Sequence, residues 1–254
     1  MDVALVWNGN AGSAANVEAA DVAQRIAAAM AREVSVVDCG DDPLAAARTA
    51  LAGGAHVVIA AGGDGTVSAC ATALIGSEGT LAVLPLGTSN SFAGALGIPD
   101  ELDAAIALLA STDRRLVDAA FVERAGERRT MILHCMIGLH ADTISDTQAE
   151  SKRRWGVLAY VASALRQLAS LEPFAVELET PSHVVRCRAI QISAANLAPL
   201  KTVLAHGPSH LLGGDGRVDV TIVAAESIGE AIATGVHLYR TSRDHEPATR
   251  DNVG

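Results

Sequence analysis

Along about the first 120 residues, short runs of β-branched and aliphatic residues alternate with longer Ala-rich stretches whose apolar positions recur at helical spacing. VALVW is followed by residues 17–32, VSVVD by 43–52 and HVVIAA by 67–75, and TLAVLPL closes the series. Strand, helix, strand repeated in this way predicts a parallel sheet flanked by helices, and strands without polar alternation fit a sheet covered on both faces. From about Leu116 the pattern shifts to longer Val- and Ile-rich segments, TMILHCMIG, FAVELET, VVRCRAIQISAAN and RVDVTIVAA, with one helical interval over 154–171. The expected class is α/β: a parallel-sheet domain over 1–118, then a β-rich antiparallel domain over 119–254 with one inserted helix.

Composition narrows the functional classes. With 254 residues, half of them apolar, the chain can bury the core of one large domain or two modest ones. No run approaches the roughly 18 uninterrupted apolar residues of a membrane span, so membrane contact is expected to be peripheral. The start MDVALVWNGN lacks a basic flank and enters a Gly/Asn turn at once; a secretory leader is not expected, and a cytoplasmic location follows by default. Cys39, Cys70, Cys135 and Cys187 are widely spaced with no Cys-x-x-Cys pair, which reads as reduced thiols. A formal charge of −10 argues against a nucleic-acid partner, whose phosphates require clustered Lys and Arg. Lys152, Arg153 and Arg154 form one basic cluster, which would either meet an anionic bilayer or stand as a solvated helix start. His206 and His210 have a helical metal-binding spacing, but Gly207 and Pro208 between them break the helix. His134 and His140 are read as structural. No Gly-x-Ser-x-Gly elbow points to a serine hydrolase, and no Gly-x-Gly-x-x-Gly follows a strand.

The chemistry concentrates in turns after the predicted strands. In HVVIAAGGDGTVSACATAL the glycines lie between a buried strand and a helix, where an open α/β sheet binds ligands. Gly62, Gly63 and Gly65 let the backbone approach a ligand closely. The helix that follows presents free N–H groups and a positive dipole end to an anion, and Thr66 can cap it or meet a phosphate oxygen. Asp64 would repel a phosphate unless a cation compensates, so a Mg²⁺-nucleotide is implied; the alternative is a Gly-rich turn whose Asp only caps the helix. LAVLPLGTSNSFAGALGIP repeats the arrangement, bringing Gly87, Thr88, Ser89, Asn90 and Ser91 to the same sheet edge. A third turn, Asn8, Gly9, Asn10, Ala11, Gly12 and Ser13, follows VALVW.

These residues resemble the diacylglycerol kinase catalytic-domain family, which includes bacterial lipid kinases, sphingosine kinases and ceramide kinase. Its Asn-Pro-x-x-Gly turn is matched loosely by residues 8–12, its Gly-Gly-Asp-Gly-Thr fully by 62–66, and its Pro-Leu-Gly-Thr-x-Asn-Asp-Phe-Ala by 85–93 with one change. Asp118 in LVDAA, the IGLHAD turn, the helical interval with Gly156, Leu158 and Tyr160, and Asp215, Gly216 and Asp219 extend the likeness. NAD kinases share the first glycine motif and its nucleotide-binding fold, whereas residues 85–93 separate the two. The resemblance implies transfer of a phosphoryl group from ATP to a lipid hydroxyl, an activity of phospholipid biosynthesis. Asn8, Gly9, Asn10, Ala11, Gly12, Gly63, Gly65, Thr66 and Thr88 would hold the nucleotide phosphates. Asp64 would organise Mg²⁺, with Asp118 and Asn90 in support. A structural Mg²⁺ would sit on the Asp215 carboxylate and the carbonyls of Leu212 and Arg217; a plain hairpin turn is the other reading of Asp215.

The chain also departs from the family pattern. It has Ser68 and Ala69 where the family often has Asn-Glu, and Ser91 where the family has Asp. It ends at HEPATRDNVG without the family's Asp-Gly-Glu, the source of the presumed general base, whose contribution is about 10²- to 10⁴-fold. The expectation is a fragment lacking its last strands; a non-catalytic nucleotide- or lipid-binding relative is the alternative, and Asp244 and Glu246 read as a solvated loop rather than replacements.

Overall fold

The structure, a computed structural model, describes residues 2–111, 113–138, 173–197 and 214–224. The helical interval over 154–171, Lys152, Arg153, Arg154, His140, His206, His210, Leu212, Asp244 and Glu246 lie outside the described residues. Two compact units divide the chain: described residues within 2–134, 195–197 and 214–218 form the first, and 135–138, 173–194 and 219–224 the second.

In the first unit, β1 (Val3–Trp7), β2 (Val34–Asp38), β3 (Val57–Gly62) and β4 (Thr80–Pro85) form a parallel sheet in the order β2-β1-β3-β4. Every position of β1 and β3 is buried, and successive side chains serve opposite layers. Ala4, Val6, Val58 and Ala60 share a core with Ala46, Ala47 and Ala50 of α2 (Pro43–Ala52). The same layer takes Val67 and Cys70 of α3 (Asp64–Leu74), Phe92 of α4 (Ser91–Leu96), and Ile132 and Leu197. Val3, Leu5, Ile59 and Ala61 pack instead with Val22 and Ile26 of α1 (Ala19–Met30) and Ile106 of α5 (Leu102–Leu109). Helix starts follow local chemistry: Asp42 caps α2 through Ala45 N at 2.9 Å with Pro43 in the first turn, and Glu101 caps α5 through Asp103 N and Ala104 N.

A two-stranded hairpin, β5 (Ala120–Arg124) and β6 (Glu127–Met131), also belongs to this unit. Its turn residues Ala125 and Gly126 both have positive φ, the geometry whose twist matches paired antiparallel strands. In the second unit β9 (Val184–Ala195) lies between β7 (His134–Gly138) and β10 (Asp219–Ala224) and pairs antiparallel with β8 (Phe174–Glu179). The expected α/β class with a parallel sheet and an antiparallel β-rich region is therefore observed. TMILHCMIG, read as one strand, is two, because Ile132 and Leu133 turn their carbonyls to another partner.

That partner is Asn196, 2% exposed at the end of β9. Its Nδ2 donates to the carbonyls of Asp118 at 2.6 Å and Ile132 at 3.0 Å, and its backbone N–H donates to Leu133 O at 2.8 Å. One buried amide thus holds three chain segments together. Replacing it in Asn196→Ala leaves two inward carbonyls unpaired, and urea unfolding should show a loss of roughly 2 kcal/mol or more; an unchanged midpoint would refute this role.

Cys39 and Cys70 are buried in the α2/α3 layer, and all four cysteines are free thiols. Burial, with a smaller push from Cys39, raises the Cys70 thiol to about 12, while burial and then Asp38 raise Cys39 above its ordinary value of 9.0. A folded pKa above the unfolded one favours the folded state fully below pH 9.0, and the Cys70 contribution is lost as pH climbs toward about 12. Cys70 should therefore resist a thiol reagent at pH 8 until urea unfolds the chain; rapid native labelling at that position would contradict its burial.

Candidate functional site

With strand order β2-β1-β3-β4, the chain leaves β1 toward one side of the sheet and β3 toward the other, so a crevice opens beyond their carboxyl ends. In open α/β sheets this is where ligands bind. The turn after β1, the loop from β3 into α3 and the loop from β4 into α4 all lie at this edge.

Asn8 ties the first two loops. Its backbone N–H extends the sheet to Ala61 O at 3.0 Å, its Oδ1 accepts from Asn10 N at 3.0 Å, and its Nδ2 donates to Thr66 Oγ1 at 2.8 Å. Thr66 is 3% exposed in the first turn of α3, and its hydroxyl oxygen accepts this bond. Asn8 also takes the N–H of Ala11 on its carbonyl at 3.1 Å, so the backbone N–H groups left at this edge are those of Gly9, Gly12 and residues 63–65. A Cβ at Gly65 would meet nothing within 4 Å; packing does not demand glycine there, and the surface it leaves is bare backbone at a helix start. On the opposite wall a Cβ at Gly12 would lie 3.5 Å from Thr88 Oγ1, so the β1 turn faces the exposed Thr88.

The second and third loops touch through glycine. A Cβ on Gly87 would collide with Gly63 Cα and lie 2.9 Å from Asn90 Oδ1. Asn90, at φ 46, closes its own loop by accepting from Gly87 N at 2.9 Å and donating to Gly87 O at 3.0 Å. Asp64 reaches across from α3: Oδ2 accepts from Ser91 N at 3.0 Å and Oδ1 from Phe92 N at 2.9 Å. These are the first two N–H groups of α4, which have no acceptor within their own helix. Each carboxylate oxygen keeps a lone pair for a cation.

Asp118 and the 215–217 turn form a second group in the first unit. Gly216, at φ 72, donates its N–H to Asp118 Oδ2 at 2.7 Å, and Arg217 N donates to Asp215 Oδ1 at 3.0 Å. Asp118 is itself held through its carbonyl by Asn196. Leu212, the third expected member, lies outside the described residues. Among the described residues no cluster of three or more His, Cys, Asp or Glu side chains could hold a metal alone. Asn196 escaped the sequence reading, since an Asn after a strand resembles ordinary turn chemistry and its partners are 78 and 64 residues away.

Comparison with known proteins finds similar sequences and a similar fold. Residues 2–122 match the family model described as diacylglycerol kinase catalytic domain. A Stenotrophomonas maltophilia (strain K279a) protein named "Probable lipid kinase YegS-like" is 32% identical over 187 residues, covering 71% of this chain and 60% of that protein. Lipid kinase YegS of Escherichia coli (strain K12) is 35% identical over 130 residues, 49% of this chain and 42% of its own length. The crystal structure of a diacylglycerol kinase from Bacillus anthracis str. Sterne superposes with a TM-score of 0.66 at 22% identity, covering 97% of this chain and 78% of that one. The chain thus spans 60% and 42% of the lengths of these two curated relatives. Through residues 2–122, which carry all three loops of the crevice, the chain belongs to the diacylglycerol kinase catalytic-domain family.

Proposed function

We propose that the chain is an ATP-dependent lipid kinase that moves the γ-phosphoryl group of ATP to the hydroxyl of diacylglycerol or a related lipid. The observation that carries this reading is the convergence of three polar loops on the β1/β3 crevice, locked by the Asn8 to Thr66 hydrogen bond at 2.8 Å. Phosphoryl transfer asks a protein mainly to position groups and stabilise charge. Backbone N–H groups of Gly9, Gly12 and residues 63–65, with the Thr88 hydroxyl, suit the phosphates, those of Asn10 and Ala11 being given to Asn8; Asn8 and Thr66 keep the two walls at a fixed spacing.

The donor set also suits Mg²⁺, which binds through one or two carboxylates and substrate phosphates while keeping several waters. Asp64 has lone pairs left for such an ion, and Asp215 with the Arg217 carbonyl would serve a structural one. When bound, Mg²⁺ neutralises phosphate charge. The chain's own part is to hold the phosphates, align the lipid hydroxyl and exclude water. We assign nucleotide binding to the domain over 1–118 and lipid binding to 119–254. No helix among the described residues is long and apolar enough to cross a membrane, which fits peripheral access to lipid from the cytoplasm. Nothing in the composition favours nucleic acid.

A second reading, nucleotide binding without transfer, draws support from Ser91 in place of an acid and from the engagement of both Asp64 oxygens with α4. Labelled ATP, Mg²⁺ and mixed vesicles containing diacylglycerol separate the two. Label should appear in lipid, and Asp64→Ala should lower the rate by about 10²-fold or more, the scale of losing one charge-stabilising element. ATP binding by calorimetry without label transfer would establish the second reading, and transfer unaffected by Asp64→Ala would remove the site assignment.

A further inference from the structure

We infer that Asp64 is a positioning residue that couples the two phosphate-facing loops, and that this role is exercised before any metal binds. The inference rests on the nucleotide reading of the crevice and deepens it. Three observations converge. Both carboxylate oxygens are taken by backbone donors of another element, Ser91 N at 3.0 Å and Phe92 N at 2.9 Å. The two loops meet as bare backbone at Gly63 and Gly87, where no side chain can wedge them apart or interlock them. Asn90 makes the 87–90 loop internally rigid, so whatever holds the start of α4 also sets the place of the exposed Thr88 and Ser89.

Without Asp64, the contact of the β4 loop with the β3 loop falls back on glycine packing and on the Leu86 N to Gly62 O bond at 3.0 Å, one residue before the turn. Charge-assisted hydrogen bonds are the strong ones, and two on one carboxylate fix a direction as well as a distance. An amide at the same place reproduces only one of them, since its nitrogen would face an N–H donor.

A metal-ligand role and a positioning role make different demands on ADP binding. Positioning weakens ADP in EDTA and in Mg²⁺ alike, leaving the Mg²⁺ enhancement intact. A metal ligand alone leaves the EDTA value untouched and removes the enhancement. Calorimetry of Asp64→Asn against the unaltered chain should therefore show the ADP Kd raised about tenfold, about 1.4 kcal/mol, under both conditions. Hydrogen exchange on the nucleotide-free chain supplies the arm that needs no ligand. The Ser91 and Phe92 amides, which have no acceptor within their own helix, should exchange slowly in the unaltered chain, and at least one of them quickly in Asp64→Asn. Fast exchange at both amides in the unaltered chain, or an unchanged EDTA Kd in the variant, would overturn the inference. Absence of ADP binding by the unaltered chain would defeat the nucleotide reading instead, with the exchange result still deciding whether Asp64 couples the loops.

Discussion

The close approach of Gly63 and Gly87 constrains the rest of the crevice, because a Cβ on Gly87 would occupy space that Gly63 Cα already fills. Two loops that meet as backbone can come nearer than any side-chain contact permits, and they draw the carboxyl ends of β3 and β4 into one surface. The same contact has no interlocking shape. Its alignment is supplied from outside it, by Asp64 on α4, by the Asn90 amide within the third loop, and by Asn8 on Thr66. The glycines set the distance, and the polar side chains set the register.

Much of the fold was legible in the residues because β1 and β3 are uninterrupted apolar runs between Gly, Asn and Asp turns, and their helices carry apolar residues on one stripe. The three loops were legible for the same reason: each is a polar, Gly-bearing break directly after such a run. What escaped reading depends on partners distant in sequence. The split of TMILHCMIG follows from Asn196, 64 residues beyond Ile132. The β5/β6 hairpin hides because its outward positions are charged and its turn is an Ala-Gly pair rather than Asn-Gly. Asp64 was read from its place in a phosphate loop, whereas its hydrogen bonds belong to a helix 27 residues later.

The two groups of functional candidates differ in how they are built. Around the crevice, support comes from hydrogen bonds between neighbouring loops of one sheet edge. Around Asp118, support comes from a single buried amide that gathers a strand end, a bend and a connecting segment. The first arrangement tolerates variation in exposed turn residues such as Gly9 and Asn10. The second concentrates its dependence on Asn196, whose loss would disturb Asp118 and, through it, the Gly216 turn.

The position of β1 at the centre of the sheet bears on how the chain reaches this state. Val3 pairs with Val34 on one side and Val57 on the other, so neither neighbour of VALVW is close in sequence. Until the chain past residue 57 is available, this apolar pentapeptide has one partner at most and no covered second edge. Late pairing of that kind lengthens the interval in which a sticky strand is open to other chains. During synthesis the window in which β1 is open therefore closes with the arrival of β3, so the segment that covers the second edge of β1 is the one that leads into the glycine loop at the crevice.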